Sequence, residues 1–298
     1  MIFVYLNFNK ERTMKKLRFV LPCVLIVAFY SCGGVEEPTN TVHLDQTQLP
    51  NPTIIEESSD FAFAPPSPLE IAGFFKQAGL VYDPSKLNPA SNKDNYNTKL
   101  KKSLNFGVYA TDLATCVVNN QIADAQGYLE AIQHLSDEIG MQNIFEQETI
   151  EKFKRNIGNS DSIEDILTNM QMSTVEYIEL NGKDDLEVIY FAGAWIEGMY
   201  LGTLTLTEQD SKNIVQQLAS QIEFGNRIAK GLQSVEDQDP EIKFVRQNID
   251  EIVEFYKNCE SIKGLSEDDK DLGRIEMTDE ELNSISKLIV ELRTDMIN

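Results

Sequence analysis

The chain of 298 residues carries 26 Lys and Arg against 48 Asp and Glu, a net charge of −22. So acidic a surface repels nucleic acid and anionic lipid headgroups, and excludes both as partners held by charge. With 42% hydrophobic residues and only four cysteines, the chain has material for one large core or two small ones without disulfide staples.

Near the start, Lys15, Lys16 and Arg18 precede an almost wholly apolar run from Phe19 to Phe29, and Ser31 is the small residue a peptidase needs beside its cut. About 12 apolar residues fall short of the ~20 that span a bilayer. The run therefore reads as a removable export signal over residues 14–31, with Met14 as the start and residues 1–13 as an upstream mis-start. The segment Ala28-Phe29-Tyr30-Ser31-Cys32-Gly33-Gly34 resembles the lipobox of bacterial lipoproteins, in a loose form like that of the Bacteroidota. Phe29 stands where Leu is commonest, and Tyr30 is bulkier than the usual Ser or Ala. The resemblance implies that Cys32 is acylated as the mature N-terminus. It also implies attachment to the membrane through acyl chains, in the cell envelope at the outer membrane, on its periplasmic face or at the cell surface. Removing the first 31 residues takes away five basic and one acidic residue, leaving a mature charge near −26.

Residues 32–66 read as the lipidated cysteine and a disordered tether. Pro38, Pro50, Pro52, Pro65 and Pro66 favour extended chain, and the segment is too polar to bury a core. Glu36 and Glu37 resemble signals that send some lipoproteins to the outer face, and read equally as ordinary linker acidity.

From 67 to 298 apolar residues recur at helical spacing, and no run alternates at period two. The expected fold is all-α, an array of about nine helices in stacked antiparallel hairpins. They fall near 68–79, 94–119, 122–139, 146–157, 161–181, 184–204, 208–231, 240–260 and 278–296. Ser67-Pro68-Leu69-Glu70 is a capping box with proline in the first turn, and Asp161 with Glu164 and Thr278 with Glu281 repeat the pairing. Asp239-Pro240 marks another start, and Gly79, Gly182 and Gly231 read as stops.

The segment 184–204 is apolar on every side, which places it in the core. Its Gly193, Gly198 and Gly202 each cost up to ~1 kcal/mol against alanine, best explained by close approach of a neighbouring helix ahead of a ligand. A shift of 86 residues lays Gly107-Val108-Tyr109 on Gly193-Ala194-Trp195, Leu113 on Met199, and Tyr128, Leu129 and Ile132 on Ile214, Val215 and Leu218. That is a weak two-fold repeat, each half a core helix and an amphipathic partner. At Gly107 to Leu113 and Ala192 to Gly198 the chain resembles a group of uncharacterised helical lipoproteins of the Bacteroidota. The likeness covers roughly 100–260 and implies a helical, envelope-anchored protein, with no activity to carry over.

Catalytic motifs are missing. There is no Gly-x-Ser-x-Gly elbow, no phosphate-binding Gly-x-x-x-x-Gly-Lys, no dinucleotide Gly-x-Gly-x-x-Gly and no His-Glu-x-x-His. His43 lies in the tether, and His134 follows Glu130 by four residues rather than the three of a di-iron Glu-x-x-His element, so it reads as a surface histidine. The run Glu267 to Gly273 misses the calcium-loop spacing and reads as a solvated linker. No catalytic residue, metal ligand or cofactor is assigned. Of the cysteines, Cys116 and Cys259 remain after processing. Cys116 reads as a buried inert thiol, with pairing to Cys259 left open.

Two carboxylates stand out. Glu197 lies inside the most apolar helix, and Asp112 lies in its repeat counterpart among Phe106, Tyr109, Leu113 and Cys116. A buried carboxylate needs a partner or a raised pKa. Either each accepts hydrogen bonds that fix helix register, or the two floor a small pocket lined by Tyr109, Trp195 and Tyr200. The expected function is a non-enzymatic interaction or scaffold module for a protein or peptide partner. The alternative is a small-ligand-binding helical protein with its pocket near Trp195 and Asp112.

Overall fold

The computed structural model describes residues 66–141, 144–145, 147–156, 159–204, 211–235, 239–266 and 275–298. The export signal, Cys32, the tether up to residue 65 and the acidic run 267–273 lie outside the described residues. Those described form α1 (Pro68–Gln77), a 3-10 turn (Ala90–Asn95), α2 (Lys99–Val118), α3 (Ile122–Glu138), α4 (Gln147–Arg155) and α5 (Ser160–Leu180). The chain continues as α6 (Asp184–Leu204), α7 (Ser211–Gln233), α8 (Pro240–Asn258), the single turn α9 (Glu260–Lys263) and α10 (Asp279–Ile297). The fold is all-α, with no strand among the described residues. Among them no helix is long and apolar enough to cross a membrane.

Local chemistry explains the boundaries. Ser67 and Glu70 form the capping box of α1, Gly79 ends that helix at φ +109°, and Thr278 with Glu281 caps α10 in the same way. Asp239 caps α8 ahead of Pro240, and Gly182 follows α5 at φ +58°. Three expected boundaries move. The helix expected from 94 is a separate 3-10 turn followed by extended Tyr96, because Thr98 caps α2 by accepting from the Lys101 N–H at 3.1 Å. Asn159 rather than Asp161 caps α5, accepting from the Ser162 N–H at 3.2 Å. Finally, α7 runs through Gly231 to Gln233. That glycine serves packing, since a Cβ there would sit 3.0 Å from the Val188 methyls.

At the centre, α2 lies against α6, and both are buried almost along their whole length. Amphipathic helices surround them. α3 packs on α2 and α7 on α6, α1 crosses both, α7 pairs with α8, and α10 closes against α6, α8 and α2. The two sequence halves related by 86 residues are thus the hairpins α2–α3 and α6–α7, and their core helices pack on each other.

The glycines set how close these helices come. A Cβ on Gly107 would collide with the carbonyl oxygen of Tyr190, and one on Gly193 with that of Leu104. Each of the aligned glycines therefore receives the backbone of the facing helix. Further along α6, Gly198 receives the Ile71 side chain and Gly202 the Phe75 ring, so α1 seats on the same helix. Each large apolar side chain sealed this way contributes about 1.5–3 kcal/mol, which offsets the intrinsic cost of glycine in a helix.

Gly193→Ala is expected to lower unfolding free energy by about 3 kcal/mol in urea titration, because the methyl meets backbone that has no rotamer to change. Gly73→Ala in α1, where a Cβ meets nothing within 4 Å, is expected to raise it by about 0.5–1 kcal/mol. Opposite signs for the same residue change would locate the constraint at the crossing.

Candidate functional site

Beyond the glycine crossing α2 and α6 run in the same direction, and this brings Asp112 beside Glu197. Both are fully buried. The third member comes from α10, whose apolar stripe of Leu282, Ile285, Ile289, Leu292 and Met296 carries Arg293 inward, four residues after Ile289 and three before Met296. Arg293 is 7% exposed and grips Glu197 with both arms, Nε donating to Oε2 at 2.9 Å and Nη2 to Oε1 at 3.1 Å. Its guanidinium lies over the Tyr200 ring, 4.3 Å from the centroid. A forked, aromatic-stacked arginine of this kind is the geometry in which a buried ion pair is best compensated.

Asp112 meets this pair from the other side. Its Oδ2 accepts the Asn88 N–H at 3.2 Å, while Oδ1 faces no protein N–H or hydroxyl. Burial, reinforced by the charge of Glu197, pushes its carboxyl well above the usual carboxylate range, against the opposing pull of Arg293. That shift favours the protonated acid, which hydrogen-bonds to Glu197. For Arg293, burial works against the charged form, but Glu197 more than offsets it.

A polar network ties the segment before α2 to this cluster. Asn88 donates from Nδ2 to the Tyr96 hydroxyl at 2.8 Å and to Asn105 Oδ1 at 3.2 Å. Tyr109 donates to the Pro89 carbonyl at 3.0 Å and lies 3.3 Å from the Tyr96 hydroxyl. Asn105 in turn donates to the Met296 carbonyl at 2.8 Å, which fixes the end of α10.

Of the five residues singled out in the sequence, Asp112, Glu197 and Tyr200 meet at Arg293, and Tyr109 joins through Asn88 and Tyr96. Trp195 does not. Its indole N–H donates to the Gln221 carbonyl at 3.0 Å, and its ring fills the space left by Gly225 on α7. Residues two apart on a helix point about 200° around the axis from each other, so Trp195 and Glu197 serve opposite faces of α6. Asn88 and Arg293 are the members that sequence reasoning passed over. Arg293 had a signal, since it is a cation on an otherwise apolar stripe in a chain with two buried acids lacking a partner.

Open space lies elsewhere. An apolar cleft of ≈ 50 Å³ sits among α2, α3 and α5, lined by Leu69, Phe106, Leu113 and Met170. Grooves of ≈ 210 Å³ beside Phe244 and ≈ 330 Å³ beside Thr115 open at the two ends of α2. No group of three or more His, Cys, Asp or Glu among the described residues is placed to hold a metal ion. His134 lies at the surface, 3.2 Å from Asp94. Cys116 and Cys259 are separate buried thiols, and burial pushes them up to about 12 and about 11 respectively. Thiols so held react slowly.

Glu197→Gln strands a buried guanidinium and is expected to cost about 3 kcal/mol of stability in urea titration. Asp112→Asn is expected to act in the opposite sense. Asp112 holds its proton more tightly when folded than when unfolded, so native stability falls as pH rises above its ordinary value of 3.8. Asparagine keeps the shape without the proton uptake. Its advantage should be absent near pH ~3 and grow toward pH ~8, as followed by the urea midpoint.

No protein-family model, curated protein or solved structure matches this chain, so the reading of the site rests on its own geometry.

Proposed function

We propose that the protein is a lipoprotein of the cell envelope, held at the outer membrane by acyl chains on Cys32, whose helical domain is a non-enzymatic interaction module for a basic, apolar-faced protein segment. One observation carries the reading. Phe244 is 48% exposed on α8 and borders the ≈ 210 Å³ groove where α2 begins and α10 ends. The groove floor is Leu100, Leu104, Val245 and Met296, and exposed Glu241 and Asp295 stand at its edge together with Lys101. An aromatic anchor over an apolar floor, rimmed by two acids against one lysine, suits the apolar stripe of a helix flanked by lysines or arginines.

The charge of the whole chain favours the same occupant. A net charge of −22 draws a cationic segment in from a distance and rejects an acidic one. The buried acids give no competing argument for catalysis. Asp112 and Glu197 are sealed from solvent and compensated by Arg293, which favours a part in holding the helices together.

The test uses fluorescently labelled amphipathic peptides, one of leucine and lysine and one of leucine and glutamate, with binding read by anisotropy. The lysine peptide is expected to bind, with affinity falling as salt rises, and Phe244→Ala is expected to weaken it about tenfold. Equal binding of the glutamate peptide, or no effect of Phe244→Ala, would overturn the groove. In cells, Cys32→Ala is expected to move the protein from the membrane to the soluble fraction; a wild-type protein that is already soluble would overturn the anchor.

A further inference from the structure

The outer face of α1 is apolar and open. A groove of ≈ 490 Å³ runs along this helix to the end of α2, lined by Leu69, Phe74, Lys76, Gln77 and Val118, with Glu164 of α5 on its far side. Leu69 is half-buried and Phe74 is 37% exposed, so the described helices leave this face uncovered. The chain reaches α1 already in contact with the domain, because Pro66, the first described residue, is buried, as is Pro68 just past the Ser67 cap. Ser67 is extended, with φ −66° and ψ 158°, which turns the incoming chain off the helix axis.

The residues just before Pro66 lie outside the described part, and their composition suits this groove. Phe61-Ala62-Phe63-Ala64 is the longest apolar run in 33–66 and holds the only aromatic residues of that stretch. In extended chain, residues two apart point to the same side about 7 Å from each other, so both rings address one surface. Asp60 lies seven residues before Ser67, a reach of up to about 24 Å. The distance from Ser67 to Lys76 along α1 is about 14 Å, which leaves length to spare for reversing direction. The Lys76 ammonium carries three donors and the Val118 carbonyl takes one, so Lys76 can hold a carboxylate as well.

We propose that residues 59–65 fold back along α1, with Phe61 and Phe63 seated in the groove between α1 and the start of α5 and Asp60 at Lys76. Any other occupant must arrive from solution, whereas this segment is joined to the groove by four residues and meets it at high effective concentration. Glu56 and Glu57 bound the apolar run on its other side and favour water, which leaves residues 33–58 as the free tether. The chain then departs from the domain beside Lys76 instead of at Ser67, and the outer face of α1 is closed to other proteins. The contact is independent of what the Phe244 groove holds and of whether Cys32 is acylated.

The test is photocross-linking in the full-length chain carrying Phe63→p-benzoylphenylalanine, in an equal mixture of ¹⁵N-labelled and unlabelled copies. Mass spectrometry is expected to find adducts within one copy, on peptides that hold Leu69, Phe74 or Val118. Adducts between copies, or on helices away from this groove, would overturn the proposal. Chymotrypsin gives a second readout on the chain without the photoprobe. Phe74→Lys is expected to speed cleavage after Phe61 and Phe63 about tenfold and to leave cleavage after Leu44 unchanged. Lys76→Glu is expected to speed it about threefold, and Asp60→Lys added to that variant to restore it. Should Phe74→Lys fail to fold, the charge pair decides. Cleavage after Phe61 and Phe63 that is indifferent to these changes would also overturn the docking.

Discussion

The backbone-to-backbone approach of α2 and α6 at Gly107 and Gly193 is the constraint on which the rest of the fold depends. Only residues without a Cβ fit there, because the atoms that a side chain would meet are the carbonyls of Tyr190 and Leu104 rather than rotatable groups. Once the two helices lie this close, Thr111 reaches the Ala194 carbonyl, and the carboxyls of Asp112 and Glu197 come together out of reach of bulk solvent. A wider crossing would leave both acids able to hydrate and Arg293 without a compact target. The glycine ladder continues to Gly198 and Gly202, so α1 is positioned on the same helix by the same device.

Polar groups then specify what apolar packing leaves open. The Glu197–Arg293 pair joins residues 96 positions apart and fixes the rotation of α10 against α6. Asn88 joins the preceding segment to α2 through Asp112, Asn105 and Tyr96. Buried ion pairs add little net stability over apolar residues of the same shape, but they penalise every arrangement in which a partner is missing. The cluster therefore selects one packing of the helices. Its lack of solvent access accords with that task. Open space lies away from the cluster, as in the apolar groove where α2 begins, edged by Glu241, Asp295 and Lys101.

Much of this was legible in the sequence because it depends on near neighbours. Ser67 with Glu70 and Thr278 with Glu281 satisfy donors three residues away, so the pattern itself names the cap. The all-round apolar character of 184–204 gives its burial, and the 86-residue shift pairs the two glycines that admit the facing helix's backbone. What depended on distant contacts was less visible. Arg293 reads as a surface cation until α10 is docked. Trp195 and Glu197, two residues apart, separate to opposite faces of α6 through helix geometry alone. Gly231 reads as a helix stop, yet its role is to receive Val188. In α5 two cap-forming residues lie close together, and Asn159 wins over Asp161 because the helix begins two residues earlier than the carboxylate pattern suggests.

Native-state amide hydrogen exchange tests the central claim most directly. If the α2–α6 crossing is the constraint that organises the fold, amides near Gly107 and Gly193 should exchange only through global unfolding, with the same free energy in both helices. Helices α7 and α8 should then open at lower free energy while the crossing stays protected. Exchange at the crossing that is faster than in α7 and α8 would contradict the account and move the organising contact to the outer hairpin.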